Sequence, residues 1–343
     1  MSPVTRRDVR TRRGIDATVH VRGSAGTPVV WFHGAGGLLP EEPLLDELAA
    51  DHVVYAPEWP GYGSQETETQ LFDMLDFALH GLDLIEAFGL DVAPHVIGHS
   101  MGGMIAAEMA ALNPAALRSL TLIGSAGLWI DEHPVPDVFS MVPFELAEAL
   151  FVDPVAGEKL LTAGRDFTDD SALIDFMVGN ARRMGTAGKI LFPIPNRGLA
   201  HRLYRITCPT LLVWGEQDRM YPPVYAARFT ELLASAPVTS EIIADAGHMV
   251  PYRPWTGWGP GNFLDHYKGY TVNAFRTYVS DNEGRSGIHS YYLMTLVEQG
   301  FPGLLIFLIY IFGALIIGER MYHRQTDPAA RNAIMAALLA MLI

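Results

Sequence analysis

The pentapeptide Gly98-His99-Ser100-Met101-Gly102 constrains this chain more than any other stretch. It fits G-x-S-x-G, the turn that lifts a serine nucleophile above the end of a sheet. His95-Val96-Ile97 before it reads as a short buried strand, and Gly103 through Leu112 after it as a helix that ends before Asn113-Pro114. A turn this tight admits only small neighbours, which Gly98 and Gly102 supply. The helix N-terminus behind Ser100 favours developing negative charge.

Three further segments fall where an acyl-transfer site needs them. His33-Gly34-Ala35-Gly36-Gly37 follows the apolar run Val29-Val30-Trp31-Phe32. A glycine-rich loop there can present fixed N–H groups to an oxyanion, the expected pair being Ala35 (or Gly36) and Met101. Trp214-Gly215-Glu216-Gln217-Asp218 follows the strand-like Thr210-Leu211-Leu212-Val213 and offers an acid to hold a histidine tautomer, with Glu216 competing against Asp218. Ala246-Gly247-His248-Met249 follows Glu241-Ile242-Ile243 and offers a general base. The chain has 12 histidines, and His248 stands out because nucleophile, acid and histidine come in that order.

Residues from about 28 to 252 resemble the α/β-hydrolase fold family through HGAGG (33–37), PGYGSQ (60–65), GHSMGG (98–103), WGEQD (214–218) and AGHMVP (246–251). The resemblance implies a mainly parallel sheet with helices on both faces, a catalytic triad of Ser100, Asp218 and His248, and an oxyanion hole from Ala35 and Met101. It implies a small-molecule acyl substrate and no cofactor or metal. Serine at position 100 favours ester, lipase or carbon–carbon hydrolase chemistry over the aspartate-dependent branches. Ester hydrolysis and cleavage of a carbon–carbon bond beside a ketone stay open, since the fold hosts many chemistries.

The coarse pattern agrees with such a sheet. Strands are expected at Val19–Val21, Val29–Phe32, Val53–Ala56 and Leu120–Ile123, with helices at Pro43–Ala50 and at Leu71–Phe88, which Gly89 ends. Alternation of strands and helices predicts a parallel sheet covered on both faces. Residues from about 128 to 205 break the alternation with proline-punctuated helical segments, resembling a cap. Its apolar residues, among them Trp129, Phe139, Met141, Phe144, Phe151, Phe176 and Met177, belong to cap core or to an acyl pocket.

Charge separates the chain into unlike parts. Of 38 acidic and 24 basic residues, 32 and 18 precede residue 254, so the net charge of -14 belongs entirely to the first part. An acidic surface argues against nucleic acid as a partner. The single cysteine, Cys208, excludes an internal disulfide.

Residues 254–343 have another character, with seven of the 13 tyrosines. Gly300 to Gly318 is an uncharged run of membrane-spanning length, and Ala333 to Ile343 reads as a second, truncated one. With the WGPGNF (258–263), HSYYL (289–293) and EQGFPGL (298–304) segments, this part resembles a fragment of the O-antigen ligase and polysaccharide polymerase membrane family. That resemblance implies a loop over 254–299, a transmembrane helix over 300–318 and no complete ligase. The expected organisation is an N-terminal segment 1–27, a hydrolase domain 28–253 with its cap, and this tail.

The two parts disagree over topology. Glu319 to Arg324 follows the apolar run and should stay cytoplasmic, which places 255–299 outside. The arginine-rich N-terminus has no apolar segment behind it, so the hydrolase part is expected in the cytoplasm, with membrane association through the tail. The junction near residue 254 reads as a join between unrelated genes, and it deprives the His248 loop of a final covering helix. A second class of function is therefore a non-catalytic, membrane-associated fragment fused to a hydrolase.

Overall fold

The computed structural model describes residues 4–39, 42–63, 70–141, 143–162, 165 and 170–249, with 305, 308, 312, 315–317 and 319–324. The chain divides into two compact units, Met1–Pro251 and Tyr252–Ile343, and the fold set out here is that of the first. The expected ligase-like loop at 254–299, most of the apolar run at 300–318 and all of 333–343 lie outside the described residues. Among those described, no helix is long and apolar enough to cross a membrane.

Among the described residues, eight strands run in chain order as β1 (Thr5–Arg10), β2 (Asp16–Arg22), β3 (Thr27–Phe32), β4 (His52–Pro57), β5 (His95–His99), β6 (Ser119–Ile123), β7 (Thr210–Gly215) and β8 (Val238–Ile243). They form one sheet in the order β1-β2-β4-β3-β5-β6-β7-β8. The six strands from β4 to β8 pair in parallel, whereas β1 and β2 add an antiparallel edge.

β3 shows why the sheet is buried on both sides. Val30 and Phe32 face one core with Val96, Leu120 and Leu212, while Val29 and Trp31 face another with Leu45, Ala49 and Val54. A strand covered on both faces is apolar at every position, as Val29-Val30-Trp31-Phe32 is. Helix α1 (Pro43–Leu48) supplies Leu45 to the second face, and α2 (Met74–Phe88) and α3 (Met101–Leu112) supply the first. α2 begins three residues later than its apolar periodicity suggests because Asp73 caps it, accepting from the Asp76 N–H at 3.1 Å.

β1 is not visible in the apolar pattern, since Thr5–Arg10 is almost entirely polar. It forms as an edge strand that buries Val9, and Arg10 pairs with Asp16 at 2.9 Å. At the other edge, β8 is exposed along five of its six residues, including Ile242 at 46% and Ile243 at 47%.

Between β6 and β7 the chain places α4 (Pro143–Leu150), α5 (Pro154–Leu161), the long α6 (Asp170–Leu191) and two short 3-10 turns at Leu199–His201 and Leu203–Arg205. Arg202, between those turns, pairs with the buried Glu108 of α3, with Nε to Oε2 at 2.7 Å. α7 (Val224–Leu232) connects β7 to β8.

Candidate active site

Ser100 sits between β5 and α3 with φ 53° and ψ −115°. Backbone held at positive φ without glycine costs about 1–3 kcal/mol and needs surrounding structure to enforce it. The enforcement is visible. Ser100 N–H donates to the Ile123 carbonyl at 2.9 Å, and its own carbonyl accepts from Met104 and Ala126 at 3.1 Å each. Any side chain at Gly102 would meet the Phe32 carbonyl at 2.1 Å, and one at Gly98 would meet the Gly102 carbonyl at 2.5 Å. The glycines flanking the serine therefore allow strand, turn and helix to touch backbone to backbone.

Asp218 and His248 are brought together by the loops after β7 and β8. His248 Nδ1 donates to Asp218 Oδ2 at 2.9 Å, and both side chains are buried. The other oxygen, Oδ1, accepts from the Met220 and Tyr221 N–H groups, each at 2.8 Å. Those two donors hold the carboxylate in place against the imidazole. Glu216, the competing acid in the sequence, is exposed and stands apart from this pair. Gly124, at φ +48°, lies against the pair: a β-carbon there would come within 3.1 Å of His248 Nδ1 and 3.2 Å of Asp218 Oδ2.

The loop carrying His248 is tied down along its length, and Gln217 Nε2 donates to Asp245 Oδ1 at 3.0 Å. Gln217 N–H donates to the Ala246 carbonyl at 2.9 Å, and Met249 N–H to the Leu150 carbonyl of the cap at 2.8 Å. His99 Nε2 donates to the His248 carbonyl at 3.0 Å. His99 also stacks parallel to Trp31. Burial and the neighbouring His248 pull its pKa down to about 4, so it is neutral near pH 7 with its proton on Nε2.

The glycine loop is anchored by its own histidine. His33 Nδ1 donates to the Gly34 carbonyl at 2.8 Å, and Nε2 accepts from the Trp59 N–H at 3.3 Å. Burial lowers its pKa to about 4, which keeps the neutral form that this donor–acceptor pairing requires. Sequence reasoning singled out the loop but gave no role to His33, His99 or Gly124. Their histidine and glycine identities at the strand ends were the available signal.

Ser100, His248 and Ala35 line one cavity of about 300 Å³, which the cap covers. Met101, the other expected oxyanion donor, opens α3 directly after Ser100, with its side chain buried and contacted by the Tyr62 hydroxyl. Phe139 and Phe176 from the cap are in the cavity wall. Phe151 is buried instead against Gly157 of α5, and Met177 is half-exposed.

Residues 29–257 match the sequence model of the alpha/beta hydrolase family. The chain is 30% identical over 249 residues to the dihydrolipoyllysine-residue acetyltransferase component of the acetoin cleaving system of Cupriavidus necator, covering 69% of this chain and 62% of that protein. It is 25% identical over 242 residues to 2-hydroxy-6-oxo-6-(2'-aminophenyl)hexa-2,4-dienoic acid hydrolase of Metapseudomonas resinovorans, covering 67% of this chain and 81% of the relative. The crystal structure of an esterase from Rhodococcus sp. superposes with a TM-score of 0.54 at 20% identity, over 72% of this chain and 92% of that one.

Proposed function

The chain belongs to the alpha/beta hydrolase family, and from that premise we propose that it is a hydrolase that cleaves an ester or related acyl bond through a serine nucleophile. Ser100 Oγ attacks the substrate carbonyl while His248 Nε2 takes its proton. The N–H groups of Ala35 and Met101 receive the oxyanion. The bond to the leaving group then breaks, and His248 returns the proton to that group. Water attacks the acyl-serine, again losing a proton to His248, and the acid departs as Ser100 regains its hydrogen.

The observation that carries this reading is the 2.9 Å bond from His248 Nδ1 to the buried Asp218. With Nδ1 committed as donor, the neutral imidazole keeps Nε2 free to accept a proton. His248 shares a cavity with Ser100, and catalytic hydrogen bonds commonly tighten only when substrate is bound. Cleavage of a carbon–carbon bond beside a ketone uses the same residues, and the likeness to a dienoic acid hydrolase supports keeping it as a second reading. The alternative of a non-catalytic fragment draws on tail residues and leaves the Ser100, Asp218 and His248 arrangement without a purpose.

The test is turnover of short p-nitrophenyl acyl esters by the full chain beside Ser100→Ala. Loss of activity by three orders of magnitude or so in the variant is expected. Turnover that survives the substitution would overturn the reading.

A further inference from the structure

The chemistry proposed above uses a serine, a histidine, a carboxylate and two backbone N–H groups, yet the cavity wall also holds two arginines, Arg165 and Arg183. Arg183 projects from α6 over the glycine loop: a β-carbon built at Gly37 would sit 3.6 Å from Arg183 Cδ. Asn180 stands one helical turn earlier and lines the same wall.

Neither guanidinium has an ion pair or a hydrogen bond to a described residue. Asp137 also lines the cavity, but its Oδ1 accepts the Phe139 N–H at 2.9 Å and it forms no ion pair with either arginine. The groups that act on the charge of Arg183 are the Tyr62 phenol and a second cation, Arg165. Burial and Arg165 both work against its positive charge.

A half-buried guanidinium beside a like charge, with no counter-charge among the described residues, is an expensive arrangement. It becomes favourable once an anion enters. Arginine presents a planar fork of donors that matches a carboxylate in two parallel hydrogen bonds. The remaining wall is largely apolar, with side chains such as Leu146, Leu161, Phe176 and Met184. Such a pocket combines hydrocarbon contacts with one polar group that fixes orientation.

We propose that the substrate carries a carboxylate, held by Arg183 with Arg165 at the cap side of the cavity, while its reacting carbonyl lies at Ser100. The inference rests on the reading of Ser100 as nucleophile and narrows it to a substrate class. It holds equally for an ester or a carbon–carbon bond as the one cleaved.

The experiment compares p-nitrophenyl butyrate with p-nitrophenyl hemiglutarate, of which only the second has a free carboxylate, using the full chain and Arg183→Gln. The ratio of kcat/KM for the anionic over the neutral ester should fall about 10- to 100-fold in the variant, the range for losing a charged hydrogen bond. Arg183→Lys should restore part of it. An unchanged ratio would overturn the proposal. A binding arm separates this from failure of the nucleophile assignment: glutarate should raise the melting temperature of Ser100→Ala protein and not of the Ser100→Ala/Arg183→Gln double variant. Absence of that shift in Ser100→Ala counts against the anion site even if neither ester is hydrolysed. Its presence, without turnover of either ester by the unsubstituted chain, keeps the anion site and sinks the esterase reading.

Discussion

His99 Nε2 donates a hydrogen bond of 3.0 Å to the main-chain carbonyl of His248, joining the residue before Ser100 to a loop 149 positions away. The strand that raises the serine thus also sets the height of the imidazole. This is a positioning role, since His99 acts through another residue.

Replacing His99 by Phe keeps a ring against Trp31 and removes the donor. A displacement of about 1 Å at a reacting group costs on the order of 100-fold in rate. We expect kcat to fall about 10- to 100-fold with KM changed much less. Steady-state kinetics on a p-nitrophenyl ester, with a melting curve to show the fold is retained, checks it. A rise in KM alone would assign His99 to substrate contact instead.

Asp218→Asn should leave the fold in place and lower kcat by about 10⁴-fold. The amide still accepts at one atom, but the Met220 and Tyr221 N–H groups claim that oxygen and turn the NH₂ toward His248. The imidazole then holds its proton on Nε2, the wrong nitrogen for a base. Circular dichroism and kcat measured together decide this.

Acid should weaken the fold well above the range in which most carboxylates titrate. His33 and His80 are buried, and burial lowers each pKa to about 4. Between pH 6.5 and about 4 both are protonated in the unfolded chain and neutral in the folded one, so unfolding takes up protons. Stability from this source is complete above about pH 6.5 and declines as pH falls, by up to about 1.4 kcal/mol per pH unit for each histidine. His80→Gln should flatten the slope of melting temperature against pH over that window.

Arg202→Met should destabilise the chain by about 3–5 kcal/mol, because it leaves the Glu108 carboxylate buried in α3 without its partner. Urea denaturation measures the loss. Glu108→Gln with Arg202→Met should recover most of it, since the charge is then gone from both sides.

The pieces of the candidate site were legible because each lies at a strand end, where the proposed chemistry selects residue type. Gly98, Ser100 and Gly102 are dictated by a turn in which added atoms would strike backbone, and the sequence carries that constraint openly. Asp218 over Glu216 was a preference from position, and the structure puts Asp218 alone beside His248. Less legible were the supports. His33 and His99 are two of 12 histidines, and their places at strand ends mark them without giving either a role. Their roles come from contacts with Trp59 and His248, which are distant in sequence. β1 was hidden because an edge strand made of Thr5-Arg6-Arg7-Asp8-Val9-Arg10 has one buried position and so no alternation to read. Arg183 lay inside a charged and apolar helix, where only the folded cap shows which way it turns.

β8 is the edge strand at the parallel end of the sheet, and the loop after it holds the imidazole. Among the described residues it bonds to a single neighbour, β7, and it exposes most of its length, so it is the strand of the parallel block with least to lose by detaching. A working part mounted on such an edge behaves as a fuse. On heating, turnover should disappear several degrees before the far-ultraviolet signal of the sheet does, and cooling from that interval should restore it in full, because the core around β3, β5 and α3 has not yet opened.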